Sequence, residues 1–411
     1  MTGTKPQHAP QIHFPVADDV LQVGGIPLTR LAQRVGRTPF FAVDRALCTA
    51  RVAGLRAVLP PQVALHYSIK ANPMPALVQH MAGLVDGLDV ASSGELRTAL
   101  DTGKDPARIS FAGPAKLEAE LSQAIAAGVC LNVESEHELA SVARIGDATG
   151  IMPRVALRIN PAFELKSSGM KMGGGAKPFG IDAELAPAVL RQVASLGLDF
   201  QGFHIFSGSQ SLRLDAILEA QSHSIELAMR LAGDSPLAVR HVNIGGGLGI
   251  PYFPGEQRID PAPMGEHLAA WLPRLAAALP QARLALEMGR YLVGEAGIYV
   301  ARVIDRKVSR GEVFLVLDGG MHHHLAASGN LGQVIRKNYP VAIGNRMAPV
   351  DSGPASATGP LCTPLDILAE RMELAHARIG DLVVVFQSGA YGASASPANF
   401  LGHPPALEVL V

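Results

Sequence analysis

Val63-Ala-Leu-His-Tyr-Ser-Ile-Lys70 is a run of β-forming, mostly apolar residues that stops on a lysine, and runs of this texture recur seven more times before residue 290. They fall at 63–69, 87–91, 108–111, 130–134, 154–159, 200–206, 239–245 and 283–287. Between them, apolar residues at three- and four-residue spacing predict helices over 117–127, 136–145, 216–231 and 264–279. Parallel strands buried on both faces read as continuous apolar runs, and each reaches the next through a crossover, usually a helix. Eight such units predict an α/β fold, a (β/α)8 barrel.

After Tyr291 the texture changes to strands at 298–303, 313–317, 381–386 and 406–411, without obvious crossover helices. The chain therefore divides into a barrel over 39–290 and a β-rich C-terminal domain over 291–411. Residues 1–38 either join the β domain or precede the barrel, and 329–359 is the least patterned stretch. Its 411 residues are enough for two cores, and 35 basic against 36 acidic side chains leave no field that points to nucleic acid or an anionic membrane. A small-molecule ligand is the expectation. Three scattered cysteines, Cys48, Cys130 and Cys362, form no paired framework. Neither an apolar signal core nor a run of ~18 apolar residues is present, so a cytoplasmic protein is expected.

Barrel active sites form at the carboxyl ends of the strands, frequently with a phosphate after strands 7 and 8. Lys70 ends strand 1, Asp89 lies in strand 2, Arg158 in strand 5, and Ser209 follows strand 6. Gly245-Gly-Gly-Leu-Gly249 follows strand 7 and exposes backbone N–H groups to an anion. Glu287-Met-Gly-Arg290 closes strand 8, with a carboxylate suited to a cationic ring nitrogen and a guanidinium suited to a phosphate. Taken singly, each has a plain reading: a tight turn, a strand-end ion pair, a lysine reaching solvent. A lysine desolvated at a barrel mouth, however, is favoured for imine chemistry.

In combination the chain resembles the alanine-racemase-fold decarboxylases, the family of diaminopimelate and ornithine decarboxylases, from about Thr38 to Val411. The motifs that carry this are Tyr67-Ser-Ile-Lys70-Ala-Asn-Pro, Asp89-Val-Ala-Ser-Ser-Gly-Glu95-Leu, Phe111-Ala-Gly-Pro-Ala-Lys116, Asn132-Val-Glu-Ser135, Leu157-Arg158-Ile-Asn-Pro161, Gly359-Pro-Leu-Cys362 and Ser388-Gly-Ala-Tyr391-Gly392. The resemblance implies pyridoxal 5'-phosphate held by Lys70 as a Schiff base, with Glu287 keeping the pyridine nitrogen protonated. It implies Ser209, Gly246, Gly247, Gly289, Arg290 and Tyr391 around the phosphate, and Asp89 and Arg158 supporting the ring. Cys362 matches the cysteine that enters the neighbouring subunit's site and protonates Cα, which implies a homodimer with shared sites.

The chain departs from the family at four positions. The family's second histidine in His-x-His-x-Gly-Ser-Gln, which stacks on the cofactor, is Phe206 here, within His204-Ile-Phe206-Ser-Gly-Ser209-Gln210. Its ring can stack but cannot share protons. The Arg and Tyr that meet the distal carboxylate of diaminopimelate are replaced by Ala326 and Asn330, and the acidic residue after the cysteine by Thr363. Asp318, Arg336, Thr363 and Asp366 are the remaining candidates for reading a substrate's distal end. Lys171-Met-Gly-Gly, Phe179-Gly180, the triple histidine at His322, His323 and His324, Leu361-Cys-Thr-Pro364 and Phe400-Leu-Gly-His-Pro404 are most similar to a biosynthetic branch. That branch includes the butirosin-pathway decarboxylase of a carrier-protein-linked glutamyl group and the exosortase-associated decarboxylases. An acyl or peptidyl carrier protein is thus an implied partner.

Free diaminopimelate giving L-lysine, or another free diamino acid, is the alternative substrate. A racemase on this fold generally sets an arginine against the ring nitrogen, and Glu287 argues against it. An inactive paralogue acting through partner subunits has no need of Lys70, Arg290, Cys362 and Tyr391. The adjacent histidines alternate faces in an extended chain and lack accompanying ligands, so a loop lining the substrate mouth is expected in preference to a metal site.

Overall fold

A computed structural model describes residues 6–164, 170–171, 173–348 and 350–411. Met172, within the Lys171-Met-Gly-Gly segment, lies outside the described residues, as do residues 1–5 of the opening stretch. The chain divides into two compact units. One comprises Arg51–Gly249 and Ile259–Gly289, the other Met1–Ala50, Ile250–Arg258 and Arg290–Val411.

The first unit is a closed barrel of eight parallel strands: β1 Ala64–Ser68, β2 Gly87–Val90, β3 Ile109–Phe111, β4 Cys130–Val133, β5 Arg154–Asn160, β6 Asp199–Ile205, β7 His241–Asn243 and β8 Arg283–Met288. Hydrogen bonding runs from β5 through β8 to β1 and on to β4, and β4 pairs with β5 to close the ring. Each of the eight runs read from the sequence is one of these strands. The predicted helices are also present, as Glu118–Ala127, Glu136–Thr149, Leu214–Gly233 and Ala262–Ala278. Ser135 caps the second of them by accepting a hydrogen bond from the Glu138 N–H at 3.1 Å.

The second unit is built on a sheet of β9 Gly297–Ser309, β10 Glu312–Leu317, β11 Val341–Ile343, β12 Ser352–Thr358, β13 Ile367–Ala375 and β14 Leu382–Val385. Their order is β11-β14-β9-β10-β12-β13. Phe40–Val43 pairs with the start of β9 and with β15 Leu407–Leu410. Leu21, Leu28 and Leu31 from the N-terminal segment share a core with Phe40, Ile298, Val300 and Val384. β9 runs past residue 303 because Arg310 and Gly311 both adopt positive φ, the backbone of a two-residue hairpin turn. β12 and β13 lie in stretches without a strand signature: Ser-Gly-Pro-Ala-Ser-Ala-Thr reads as loop and Ile-Leu-Ala-Glu-Arg-Met-Glu-Leu-Ala as helix. Pairing with β10 and with each other overrides local preference. No helix among the described residues is long and apolar enough to cross a membrane.

Barrel closure demands a glycine at 202. The register of β6 against β5 shifts between Phe200 and Gly202, φ there is 147°, and a Cβ would overlap the His241 carbonyl of β7. Gly202→Ala is expected to cost about 3 kcal/mol, to be read as a lower urea midpoint with an unchanged m-value.

Candidate active site

The barrel rim holds a buried charged cluster. Glu287, near the end of β8, is buried and accepts a 2.7 Å hydrogen bond from Asn243 Nδ2 of β7. His204 Nε2 of β6 lies 3.2 Å from the same carboxylate. Burial opposes a charge on Glu287, but His204, the Lys70 ammonium and His66 outweigh it and hold the carboxyl below its ordinary range. Asp89 of β2 moves the other way, raised by burial and by the Glu287 charge. His66 Nδ1 is 3.2 Å from Asp89, and Ser110 donates to the same oxygen. For His66, burial works against protonation, yet Asp89 raises its pKa. Both shifts favour a proton between His66 and Asp89, whereas the surroundings of Glu287 favour its charged form.

Lys70 follows β1 in a short turn, Ile69–Ala71, and is exposed rather than desolvated as its sequence position suggested. The turn lifts it out of the strand toward open solvent. Its Nζ lies 5.4 Å from the centroid of the Phe206 ring, and that ring packs so tightly on Gly245 that a Cβ there would overlap it. Asn243 Oδ1 accepts from the Gly245 N–H at 2.9 Å, and the Glu287 N–H donates to the Gly245 carbonyl at 2.9 Å. A Cβ at Gly246 would overlap the Glu287 carbonyl. Among the described residues, no hydrogen bond engages the N–H groups of Gly246 and Gly247. Orphaned amides beside a tight glycine turn fit a phosphate, and an ionised carboxylate near a lysine fits a pyridinium and an aldehyde.

Arg158 is not free to turn toward a ligand. Its Nη1 donates to Glu134 Oε1 at 2.7 Å and its guanidinium lies over Phe179. The N–H groups of Gly113 and Gly180 also donate to Glu134, while Lys116 pairs with Glu138 at 2.6 Å and Glu138 accepts from the Glu134 N–H. Neither Glu134 nor His66 nor Asn243 had been singled out from the sequence. A carboxylate one residue past a strand end and polar residues on the inward alternation of β1 and β7 were the signals available.

In the second unit Arg290 donates to the Tyr252 hydroxyl at 2.8 Å and lies 4.5 Å from the Tyr391 ring centroid. Tyr391 has a φ of 54°, so the backbone there is strained. Tyr252 also meets Tyr339, with ring centroids 4.6 Å apart. Cys362 is free and exposed on the loop after β12, and Thr363 beside it is half-buried. The other distal-end candidates are engaged internally. Asp318 accepts from the Arg302 N–H and the Thr38 hydroxyl. Asp366 accepts from the N–H groups of Met321 and Leu361. Arg336 donates to the carbonyls of Ser328 and Ile367 and to Asn338.

The triple histidine packs inward instead of lining a mouth. His322, His323 and His324 are all buried, with His324 bonded to Ser388 and His323 to the Pro404 carbonyl. Burial pushes His322 down to about 4 and His324 to about 3, so both rings are neutral. Among the described residues no three His, Cys, Asp or Glu side chains are grouped to hold a metal.

Residues 46–294 match the family described as pyridoxal-dependent decarboxylase, pyridoxal binding domain. The chain belongs to the pyridoxal-dependent decarboxylases. It is 37% identical over 393 residues to the L-glutamyl-BtrI acyl-carrier protein decarboxylase of Niallia circulans, covering 93% of this chain and 90% of that one. It is 32% identical to the diaminopimelate decarboxylase of Aquifex aeolicus, covering 96% and 91%. Diaminopimelate decarboxylase from Helicobacter pylori, solved in complex with L-lysine, superposes with a TM-score of 0.81 at 25% identity, covering 93% and 94%. The M. jannaschii enzyme shares the fold with a TM-score of 0.88 at 24% identity, covering 98% and 93%. This decarboxylase is thus a carboxy-lyase that depends on pyridoxal phosphate.

The Glu134 network carries a pH signature. Burial raises the carboxyl, but Arg158, Lys116 and the Gly113 N–H bring it below its ordinary 4.5. The stability it adds is present above that value and is lost as pH falls through the lowered pKa. Glu134→Gln is expected to cost about 3 kcal/mol at neutral pH and to flatten the loss of stability as pH falls below about 4.5, measured by denaturant unfolding.

Proposed function

We propose that this decarboxylase removes the Cα carboxylate of an amino acid joined through its side-chain carboxyl to an acyl-carrier protein. One observation carries the reading. Ala326 and Asn330 stand where diaminopimelate decarboxylases place charge-reading residues, and the nearby Asp318, Arg336 and Asp366 are all spent on internal hydrogen bonds. That leaves Thr363, uncharged, beside the reactive loop. A free diamino acid has a distal charge that must be matched, whereas a tethered acyl group ends in a neutral linkage. The Niallia circulans relative, named for a glutamyl carrier-protein substrate, supports the same direction.

In this reading Lys70 would hold the cofactor through its amine, and Ser209, Gly246 and Gly247 would donate to its phosphate. Gly289 keeps the backbone before Arg290 close to β1, since a Cβ there would crowd Ala71. Arg290 and Tyr391 would offer a guanidinium and a phenol to a phosphate. The bound cofactor supplies a sink for the electron pair left at Cα as carbon dioxide departs. Glu287, kept ionised, holds a proton on the pyridine nitrogen, and Phe206 covers a ring face with a surface that cannot donate protons. Asp89 and Arg158 hold the surrounding wall through His66 and Glu134. Cys362 delivers the replacing proton to Cα in the partner site of a homodimer, which an exposed thiol on a short loop is free to do.

Carbon dioxide release from glutamyl acyl-carrier protein is expected to exceed that from free diaminopimelate or glutamate at equal concentration. Faster release from free diaminopimelate would overturn the tethered-substrate reading. Lys70→Ala is expected to lose the visible absorption of the bound cofactor. Cys362→Ala is expected to retain that absorption while kcat falls about 100-fold to 10,000-fold.

A further inference from the structure

At the end of the barrel opposite Lys70 lies a cavity of about 210 Å³, opening where six of the eight strands begin. The volume is several times the ~30 Å³ share of one water. Its inner wall is polar: His66, Ser110, Asn132 and Asn243 line it, each more than nine-tenths buried. Asn132 Nδ2 has no hydrogen-bond partner among the described residues. A donor buried without an acceptor calls for one from a ligand or ordered water.

The mouth is strongly basic. Arg108, Arg154, Arg240 and Arg283 line it, with Asp86 as the lining carboxylate. Asp199 bridges Arg154 at 3.7 Å and Arg240 at 2.6 Å, whereas Asp86 takes Arg283 at 3.4 Å and Arg56. Four lining guanidiniums face Asp86 and Asp199, an excess of two positive charges around an opening with a buried N–H donor inside. Arg240 and Arg283 are half exposed. Water could satisfy Asn132, but it would leave that charge excess unmatched.

We propose that this cavity is a second ligand site, for a small oxyanion of the phosphate or short-carboxylate class. Asn132 donates from the floor and the arginines close over the anion from the mouth. The occupant lies against His66, which pairs with Asp89 in the buried cluster around Glu287. Neither the tethered-substrate reading nor the catalytic assignments are needed for it.

Isothermal titration of the cofactor-loaded enzyme, with the cofactor's own phosphate occupying its loop, tests the site at fixed ionic strength. Inorganic phosphate and succinate are titrated separately. At least one is expected to bind saturably, one per chain, with phosphate alone assigning an inorganic oxyanion and succinate alone a carboxylate. Asn132→Leu is expected to raise Kd at least tenfold. The double variant Arg240→Gln, Arg283→Gln, which alters only half-exposed side chains, is expected to do the same should Asn132→Leu fail to fold. Absence of saturable binding by both anions, or unchanged affinity in the variants that fold, overturns the proposal.

Discussion

Keeping a carboxylate charged at Glu287, buried within the barrel, is the constraint around which much of the first unit is arranged. Burying an ion without partners costs several kcal/mol, so every strand beside it must contribute. β6 brings His204, β7 brings Asn243, and β1 brings His66, which sits in register with Glu287. The backbone is bound by the same requirement. Gly245 and Gly246 cannot carry side chains, because the Phe206 ring and the Glu287 carbonyl occupy that space. The phosphate-type turn and the acidic residue are thus two consequences of one close packing between β7 and β8.

The same economy of buried partners recurs away from Glu287. Glu134 collects Arg158 and two backbone amides, fixing a guanidinium that a ligand could otherwise draw out of place. In the second unit Asp366 ties the Met321 turn to the Leu361 loop that carries Cys362. Lys70 and Cys362 are both exposed, whereas these held charges are buried. Asp318 and Arg336 serve as internal staples in the same way.

Much of the barrel was legible because its signals are local. Apolar runs, intervening helical spacing and glycines at strand ends are properties of ten-residue windows, and they located all eight strands. The β domain was harder. β12 is rich in Gly, Pro, Ala and Ser, and β13 has helix-forming composition, so neither shows the alternation of a half-buried strand. They are strands because β10 offers an open edge to pair with. The triple histidine misled in a different way: polar by composition, it is buried and neutral, satisfied in part by Ser388 and the Pro404 carbonyl more than sixty residues away.

By itself the sequence determined the eight-strand barrel, the lysine at the first strand's end, the glycine turn after the seventh, the acidic residue of the eighth and the motifs that mark a decarboxylase. Each depends on neighbours within a few residues, or on side-chain types that chemistry cannot replace. Only the tertiary structure decided that His204 serves Glu287, that Arg158 is held by Glu134, that Asp318, Arg336 and Asp366 are already engaged, and that a basic cavity opens under the barrel. Those facts turn on partners tens of residues apart, brought together by strand closure and loop docking. A charged side chain reads the same in sequence whether its partner is a substrate or a backbone amide across the fold.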